Sequence, residues 1–401
     1  MSTQVSVIPP TDPTLVSGMR DQSTTLAKRV IVDAKDEIGF WDPEAAPLCS
    51  ILMALRGKRK GTQERIDWFE KKPYPRLATT SAAVTAGAVT VNVSTGEGSR
   101  FAANYLCINR RTRELFLVTG VSTDALTVVR AIGGTTGIAM NAGDTIEILH
   151  AVAEDGAGIG TLKSVAEENE YNLFEIIRRP FGWTGRQANT AMYGGKDPAT
   201  EKRFQAIEHK KDIEAALLFG KRNARTGSGG RAQNTMGGLE YFTRNLVWDL
   251  NGNTPTEAGF VASLEYGMEW GNGGYRNGRS LKYLFCGPRL MTIAESWVRD
   301  RVRYEPLSSK LGLKFLSYTS SHGEVRIIRH PLLVGPQHGG MAFLLDMNHI
   351  RYAYFQGRDT KLYDNRQAND IDGEQYEWMT DCSMEFMMPQ AHMLIKGIPA
   401  Q

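Results

Sequence analysis

DPATEKRFQAIEHKKDIEAALLFGKRN, Asp197 to Asn223, reads as one long helix with two apolar seams. Asp197 suits the N-cap, and Pro198 suits the first helical position, where a missing N–H costs nothing. From Ala199 the helix is expected to run about 25 residues, roughly 35 Å of rise. With side chains turned by about 100° per residue, Phe204, Ile207 and Leu218 share one face, and Ala206, Ile213 and Leu217 lie nearly opposite. Charged residues fall between the stripes. Two narrow stripes suit a helix gripped from two sides, not one resting on a single core.

After this helix the chain mixes helix and strand. A helix is expected around TEAGFVASLEYGMEWG, a strand at KYLFCG, and a second helix over PRLMTIAESWVRDRV with Pro288 at its start. LKFLSYTS, GEVRIIRHPLLV and GGMAFLLDMNHIRYAYF follow as strand-rich runs. This alternation argues for α/β layering. The tail from Gln356 to Gln401 is strand-like at both ends and closes with MEFMMPQAHMLIKGI.

Before the helix the character differs. Residues 79–150 carry AVTVNVS, ELFLVTGVS, ALTVVRAI and DTIEILHA, separated by Gly, Asn and Asp, with Val89, Val91 and Val93 on one face. They read as a small β-barrel or sandwich inserted in a longer chain. Residues 151–198 are punctuated by Gly and Asn, with one strand-like run, YNLFEII. At the N-terminus, Pro9, Pro10 and Pro13 interrupt regular structure. IGFWDPEAAPLCSILMALRG then gathers Phe40, Trp41, Leu48, Ile51, Leu52 and Leu55. That patch reads as a short helix on an extended arm, burying its apolar face on its own domain or on a neighbour.

Composition bounds the function class. The chain has 401 residues, 41% hydrophobic and 23% charged, with a formal net charge of +3. This is ordinary for a globular protein and too weakly basic to imply nucleic-acid binding without a local cluster. Cys49, Cys107, Cys286 and Cys382 never approach C-x-x-C spacing, which argues against zinc or redox chemistry and fits a reducing compartment. The first residues lack a signal-peptide pattern, and no apolar run is long enough to span a membrane.

Motif tests exclude most chemistry. YDNRQANDIDGEQYEW, Tyr363 to Trp378, is rich in acids and amides. With Gly373 at the turn position of a calcium loop, Ala368 and Met379 fall where oxygen ligands are required, so that template fails and a polar turn remains. GAGIGTLKS lacks both the dinucleotide and the P-loop spacing, and HGG at His338–Gly340 has no accompanying G-x-S-x-G. The seven histidines form no H-x-x-x-H pair. RGKRKGTQER holds Arg56, Lys58, Arg59, Lys60 and Arg65 against Glu64 alone. It reads as a solvated arm, or as a contact for a polyanion or an acidic neighbour. Further basic groups cluster at Arg178, Arg179 and Arg186, and at Lys221, Arg222, Arg225 and Arg231.

The order of parts then carries a resemblance: arm, loop with a β insertion, long helix, α/β region, return strand. The stretches YNLFEIIRRPFGWTGRQANTAMYG, KKDIEAALLFGKRNA, TMGGLEYF, HPLLV, LLDMNHIRYAYFQGRDTKLYDNRQANDIDGEQYEWMTDCSMEF and AHMLIKGI cover much of residues 165–401. In this order they resemble the major capsid proteins of tailed bacteriophages, the Hong Kong 97 type of α+β fold. More specifically, several of these stretches look like the branch that carries a β module in the extension loop.

The resemblance implies an N-terminal arm at 1–61, an extension loop at 62–78 and 151–198, and an inserted all-β module at 79–150. It implies a peripheral domain at 199–252 and 353–401 with the long helix as its spine, and an axial domain at 253–352. It further implies self-assembly through hexameric and pentameric capsomers into an icosahedral virion shell around double-stranded DNA, built in the host bacterial cytoplasm. Portal, scaffolding and decoration proteins are implied partners; no cofactor, metal, membrane or catalysis is. Inter-subunit contacts are expected at Phe40, Trp41, Leu48, Leu52, Arg56, Arg59, Arg65, Trp183, Arg186, Asp370, Asp372 and Glu374, with the acids meeting the basic cluster of a neighbour. Two other classes stay open: an encapsulin-like nanocompartment shell that encloses an enzyme, and a hydrolase using His338 with nearby acids.

Overall fold

A computed structural model of the chain describes residues 46–56, 58–190, 197–271, 281–297, 302–306 and 314–399. The elements run α1 (Pro47–Arg56), β1 (Lys58–Gly61), β2 (Arg65–Glu70), β3 (Leu77–Thr79), β4 (Thr90–Asn92), β5 (Tyr105–Asn109), β6 (Leu115–Ser122), β7 (Ala125–Val129) and β8 (Thr145–Ala151). Next come β9 (Glu168–Leu173), β10 (Glu175–Thr184), α2 (Gly185–Ala188), α3 (Asp197–Phe219), α4 (Leu239–Phe242), β11 (Val247–Asp249), α5 (Glu257–Gly267), β12 (Leu281–Cys286) and α6 (Pro288–Ser296). The chain ends with β13 (Val302–Pro306), β14 (Lys314–Ser320), β15 (Gly323–Arg329), α7 (Gly335–His338), β16 (Ala342–Leu345), β17 (Ile350–Phe355), β18 (Lys361–Tyr363), β19 (Gly373–Phe386) and β20 (Met393–Lys396). Two units are distinguished: Asp67–Tyr171, and the chain on either side of it.

The Asp67–Tyr171 unit is all-β. Its strands lie in the order β3-β8-β5-β6-β7-β4, antiparallel throughout. The row closes on itself. Just beyond β3 and β4, Thr80 bridges Val93, the Ser81 N–H donates to Asn92 O at 2.9 Å, and the Ser94 N–H donates to Thr79 O at 2.8 Å. Closure removes the unpaired edges that an open sheet would expose. Phe116, Val118, Leu126, Val128, Ile146 and Ile148 alternate inward to form the core with Val91 and Val93. Val89, expected on the same face, precedes β4 and is 63% exposed.

Two buried carboxylates pin this unit's loops. Glu114 accepts two bonds from Arg130, both 2.6 Å, and one from the Ile138 N–H at 3.1 Å. Burial pushes its carboxyl up, but Arg130 and the Ile138 and Ala131 N–H groups outweigh that and hold it below the ordinary value. Asp144 accepts from Arg111 at 2.7 and 2.8 Å and from Asn109 at 3.1 Å. The Arg111 bonds are the main reason its pKa falls to about 2, against the opposing effect of burial.

The second unit contains two sheets. The five-stranded sheet runs β1-β17-β19-β10, with β18 also on β19; β1 and β17 are parallel, the rest antiparallel. The seven-stranded sheet runs β11-β20-β16-β12-β15-β14-β13. On one face, Leu284, Cys286, Leu316, Tyr318, Val325, Ile327, Leu344 and Ile395 follow the two-residue period of strands and pack with Phe260 and Leu264 of α5 and Leu290 of α6. Lys282 is buried and donates to Gly267 O (2.7 Å) and Trp270 O (2.8 Å) at the C-terminal end of α5, and to Ala391 O (2.7 Å). A cation here complements the carbonyl end of the helix. Burial lowers its pKa to about 8, with Asp346 pulling the other way.

Several expectations are corrected. α3 starts at Asp197 but stops at Phe219, short of Asn223. A Cβ on Gly220 would meet Ala216 O at 2.4 Å and Met236 O at 2.7 Å, so the chain turns away where a tertiary neighbour presses on it. Ile213, Leu217 and Leu218 are buried, yet Phe204 is 42% exposed, so one expected stripe is open at its start. α6 ends at Ser296 instead of continuing to Val302, which begins a strand. β10, in the stretch expected as extension loop, is a strand of the five-stranded sheet. β11 and β20 belong to the seven-stranded sheet and β17 to the five-stranded one. Phe40 and Trp41, and the arm prolines, lie outside the described residues.

Candidate assembly surface

The long β10–β19 ladder is the feature that exposes most chemistry. It pairs from Glu175↔Cys382 to Thr184↔Gly373, and its two faces have different fates. Ile177, Arg179, Phe181 and Trp183 alternate onto the face covered by α3. Arg179 reaches Gln205 at 3.0 Å and Asp212 at 2.9 Å, and Trp378 Nε1 donates to Lys202 O at 3.3 Å. Lys202 Nζ stands 3.8 Å above the Tyr376 ring and 5.5 Å from Trp183. The Trp183 and Tyr376 rings stack at 5.0 Å. This aromatic pair with a cation over it makes a stiff, half-buried platform.

The opposite face is charged. Arg178 forks onto Glu377, with one bond at 2.8 Å, and Arg366 approaches the same carboxylate at 3.6 Å. Arg366 also lies 4.8 Å over the Tyr363 ring. A groove of about 840 Å³ opens here, bordered by Arg178, Pro180, Arg366, Ile371 and Gln375. Pro180 donates no N–H, as suits an edge strand. β10 is the edge of its sheet.

At the far end of the ladder the chain turns tightly. The Thr184 hydroxyl accepts from the Gln187 N–H at 3.4 Å and starts α2, which displays exposed Arg186. The exposed Asp372 carboxylate packs against Gly185, where an added Cβ would meet Oδ1 at 2.5 Å and push that side chain aside. The register sets Trp183 opposite Glu374, and the turn beyond it adds Arg186 and Asp372; all four are among the expected inter-subunit contacts, and the two segments lie nearly 190 positions apart in the chain. Asp370, Asp372 and Glu374 are exposed, and Glu374 accepts from the Tyr376 hydroxyl at 2.8 Å.

Other expected contact residues lie elsewhere. Leu48 and Leu52 are fully buried within their own chain and offer no surface; this corrects the reading that placed them on a neighbour. Arg59, on β1 at the opposite sheet edge, pairs with Glu385 at 2.8 Å, and neighbouring Lys58 pairs with Asp359. These basic residues already face acids of the same chain. Arg65 is exposed on β2, and the Arg56 side chain lies outside the described residues. Sequence reasoning missed Lys202, Tyr376, Arg366 and Glu377, since their partners come from other elements. The one available signal was the aromatic–acid alternation of EQYEW.

Among the described residues no group of three or more His, Cys, Asp or Glu could hold a metal ion, and no helix is long and apolar enough to cross a membrane. His338 has its ring stacked on Phe219 at 4.1 Å.

A family model described as SU10 major capsid protein matches residues 16–399. Among solved structures, the capsid of Myoviridae phage XM1 is 10% identical, with a TM-score of 0.44 over 93% of this chain and 99% of that one. A Mycobacterium phage Patience structure is also 10% identical, with a TM-score of 0.41 over 63% of this chain and 78% of that one. The holo-SrpI encapsulin complex of Synechococcus elongatus is 13% identical, with a TM-score of 0.41 over 58% of this chain and 78% of that one. No curated protein matches the chain.

Proposed function

The chain belongs to the SU10 major capsid protein family and is a shell-forming structural protein, and we propose that it builds an icosahedral virion shell through the distal end of the β10–β19 ladder. The family match over residues 16–399 is the observation that carries this reading. In this account copies associate as hexameric and pentameric capsomers, assembled in the bacterial cytoplasm, around double-stranded DNA. One vertex takes a portal, and scaffolding or decoration proteins join the shell. Closed symmetry lets modest contacts, repeated at every copy, hold a large particle.

The β10–β19 end suits such a contact. It presents exposed Arg186, Asp372 and Glu374 around an aromatic pair half-covered by Lys202 of α3, a charged surface on a stiff base. The closed Asp67–Tyr171 unit has its own core, which supports reading it as a module that decorates the shell. No catalytic turnover is assigned. His338, the one candidate base, is packed on Phe219.

Sedimentation velocity on the purified full chain tests the proposal. Fast species the size of capsomers or shells support it, and a species no larger than the 44.4 kDa chain at every concentration refutes it.

A further inference from the structure

We propose that the hairpin following α3, residues 220–235, binds the phosphate backbone of duplex nucleic acid. This deepens the reading above and rests on the shell's enclosing DNA. Between Glu214 and Glu240 the sequence holds Lys221, Arg222, Arg225 and Arg231 and no acid. The structure folds this stretch back on itself. Asn223 and Thr235 exchange backbone bonds at 3.1 and 2.9 Å, and Thr226 bridges Ala232. The base is tied to the body by the Gly238 N–H, which donates to Gly220 O at 2.8 Å.

The cations are displayed, not consumed. Lys221, Arg225 and Arg231 are exposed, and among the described residues no carboxylate pairs with any of them. Gln233 Oε1 accepts from Arg225 at 2.6 and 3.1 Å, which orients the guanidinium without neutralising it. Arg222 and Arg244 lie 5.2 and 4.3 Å from the Tyr241 ring, adding charge at the hairpin's base. Carboxylates lie at the hairpin's foot: Glu175 accepts from the Met236 N–H at 3.0 Å, and a cavity beside Gln233 takes in Glu64 and Asp381, the latter held by Arg358 at 3.0 Å.

The hairpin's chemistry selects the partner. From Gly220 to Thr235 there is no large apolar side chain. The core of a protein–protein interface is mostly apolar and aromatic, and the hairpin supplies only cations and small polar side chains for it. Phosphodiesters need only cations and backbone N–H groups, and binding releases condensed counterions. The tip, Gly227-Ser228-Gly229-Gly230, has no bulk to keep a phosphate from its backbone.

The test is the full chain and its K221Q/R225Q/R231Q variant, titrated with a short fluorescent DNA duplex across a salt series, with sedimentation run in parallel. The wild type is expected to bind with an affinity that falls steeply with salt. The variant is expected to bind at least about tenfold more weakly at low salt, with a log–log slope shallower by about 3, and to sediment as the wild type does. Wild-type chain that binds no duplex overturns the proposal. So does a variant with unchanged affinity and slope, or one whose self-association is lost, which would place the hairpin between copies. Wild type that stays monomeric yet binds through these three residues leaves the site standing and removes the shell reading instead.

Discussion

Glu214 Oε1 lies 2.8 Å from His330 Nε2, with both side chains fully buried. The same carboxylate accepts from the Leu48 N–H at 2.7 Å and the Cys49 N–H at 2.9 Å, so a residue of α3 caps the N-terminus of α1. The Leu332 N–H donates to His330 Nδ1 at 3.2 Å, which leaves the ring proton on Nε2, aimed at Glu214. A carboxylate at a helix N-terminus satisfies free N–H groups and opposes the helix dipole. One side chain thus joins three distant parts of the chain.

Glu214→Ala leaves two N–H groups and the His330 proton without an acceptor in a dry site. It is expected to cost about 3 kcal/mol or more, whereas Glu214→Gln, which keeps an acceptor, costs about 1 kcal/mol. Urea unfolding checks the order. Equal losses in the two variants would contradict the capping role.

His392 makes stability fall in acid. It is fully buried, accepting from the Asp346 N–H at 3.2 Å and donating to Met387 O at 3.1 Å. Burial first, then the charge of Lys282, brings its pKa down from 6.5 to about 3. As pH falls from 6.5 towards 3 the unfolded chain takes up a proton that the folded chain refuses, so stability drops across that window. His392→Asn is expected to flatten the slope of unfolding free energy against pH between those values. An unchanged slope would mean that other groups set it.

The all-β unit has a lower acid threshold. With Asp144 held at about 2 against an ordinary 3.8, its contribution is intact above pH 3.8 and is lost as pH falls through 2. Amide exchange on β5 and β8 is expected to accelerate across that range, and Asp144→Asn to abolish the pH step. Arg130→Met, which strands the buried Glu114, is expected to destabilise the unit by about 3 kcal/mol or more at neutral pH. Protection of β6 unchanged by that substitution would show that the pair is dispensable.

Charge reversal at the ladder's end separates folding from assembly. D372K/E374K alters two exposed side chains, so thermal unfolding of the chain is expected to move little, within about 0.5 kcal/mol. Assembly is expected to fall sharply in sedimentation. Particles at normal yield would show that this end does not meet another copy.

Local signals were legible in the sequence; tertiary ones were not. Asp197 and Pro198 announce the start of α3 because capping is decided within one turn. Its end at Phe219 coincides with Gly220, a local stop signal inside the run expected to continue to Asn223. Alternation exposed Val91 and Val93 as core, but a strand's first paired residue depends on its partner, and Val89 fell outside. The pairing of β10 was not legible because its partner, β19, lies almost two hundred residues later. The roles of Glu214 and Lys282 were not legible in the sequence, since the backbone groups they satisfy belong to α1 and α5. The acidic turn lacks a calcium loop's ligand spacing in the sequence itself, whereas its place beside Trp183 and Arg186 required the register.

The most direct measurement is electron microscopy of particles formed by the purified chain, taken to a reconstruction. The account predicts closed shells with five-fold and six-fold capsomers, in which the Trp183–Glu374 end of each β10–β19 ladder abuts another copy. Unassembled chains, or closed shells with that end facing open solvent in every copy, would contradict it.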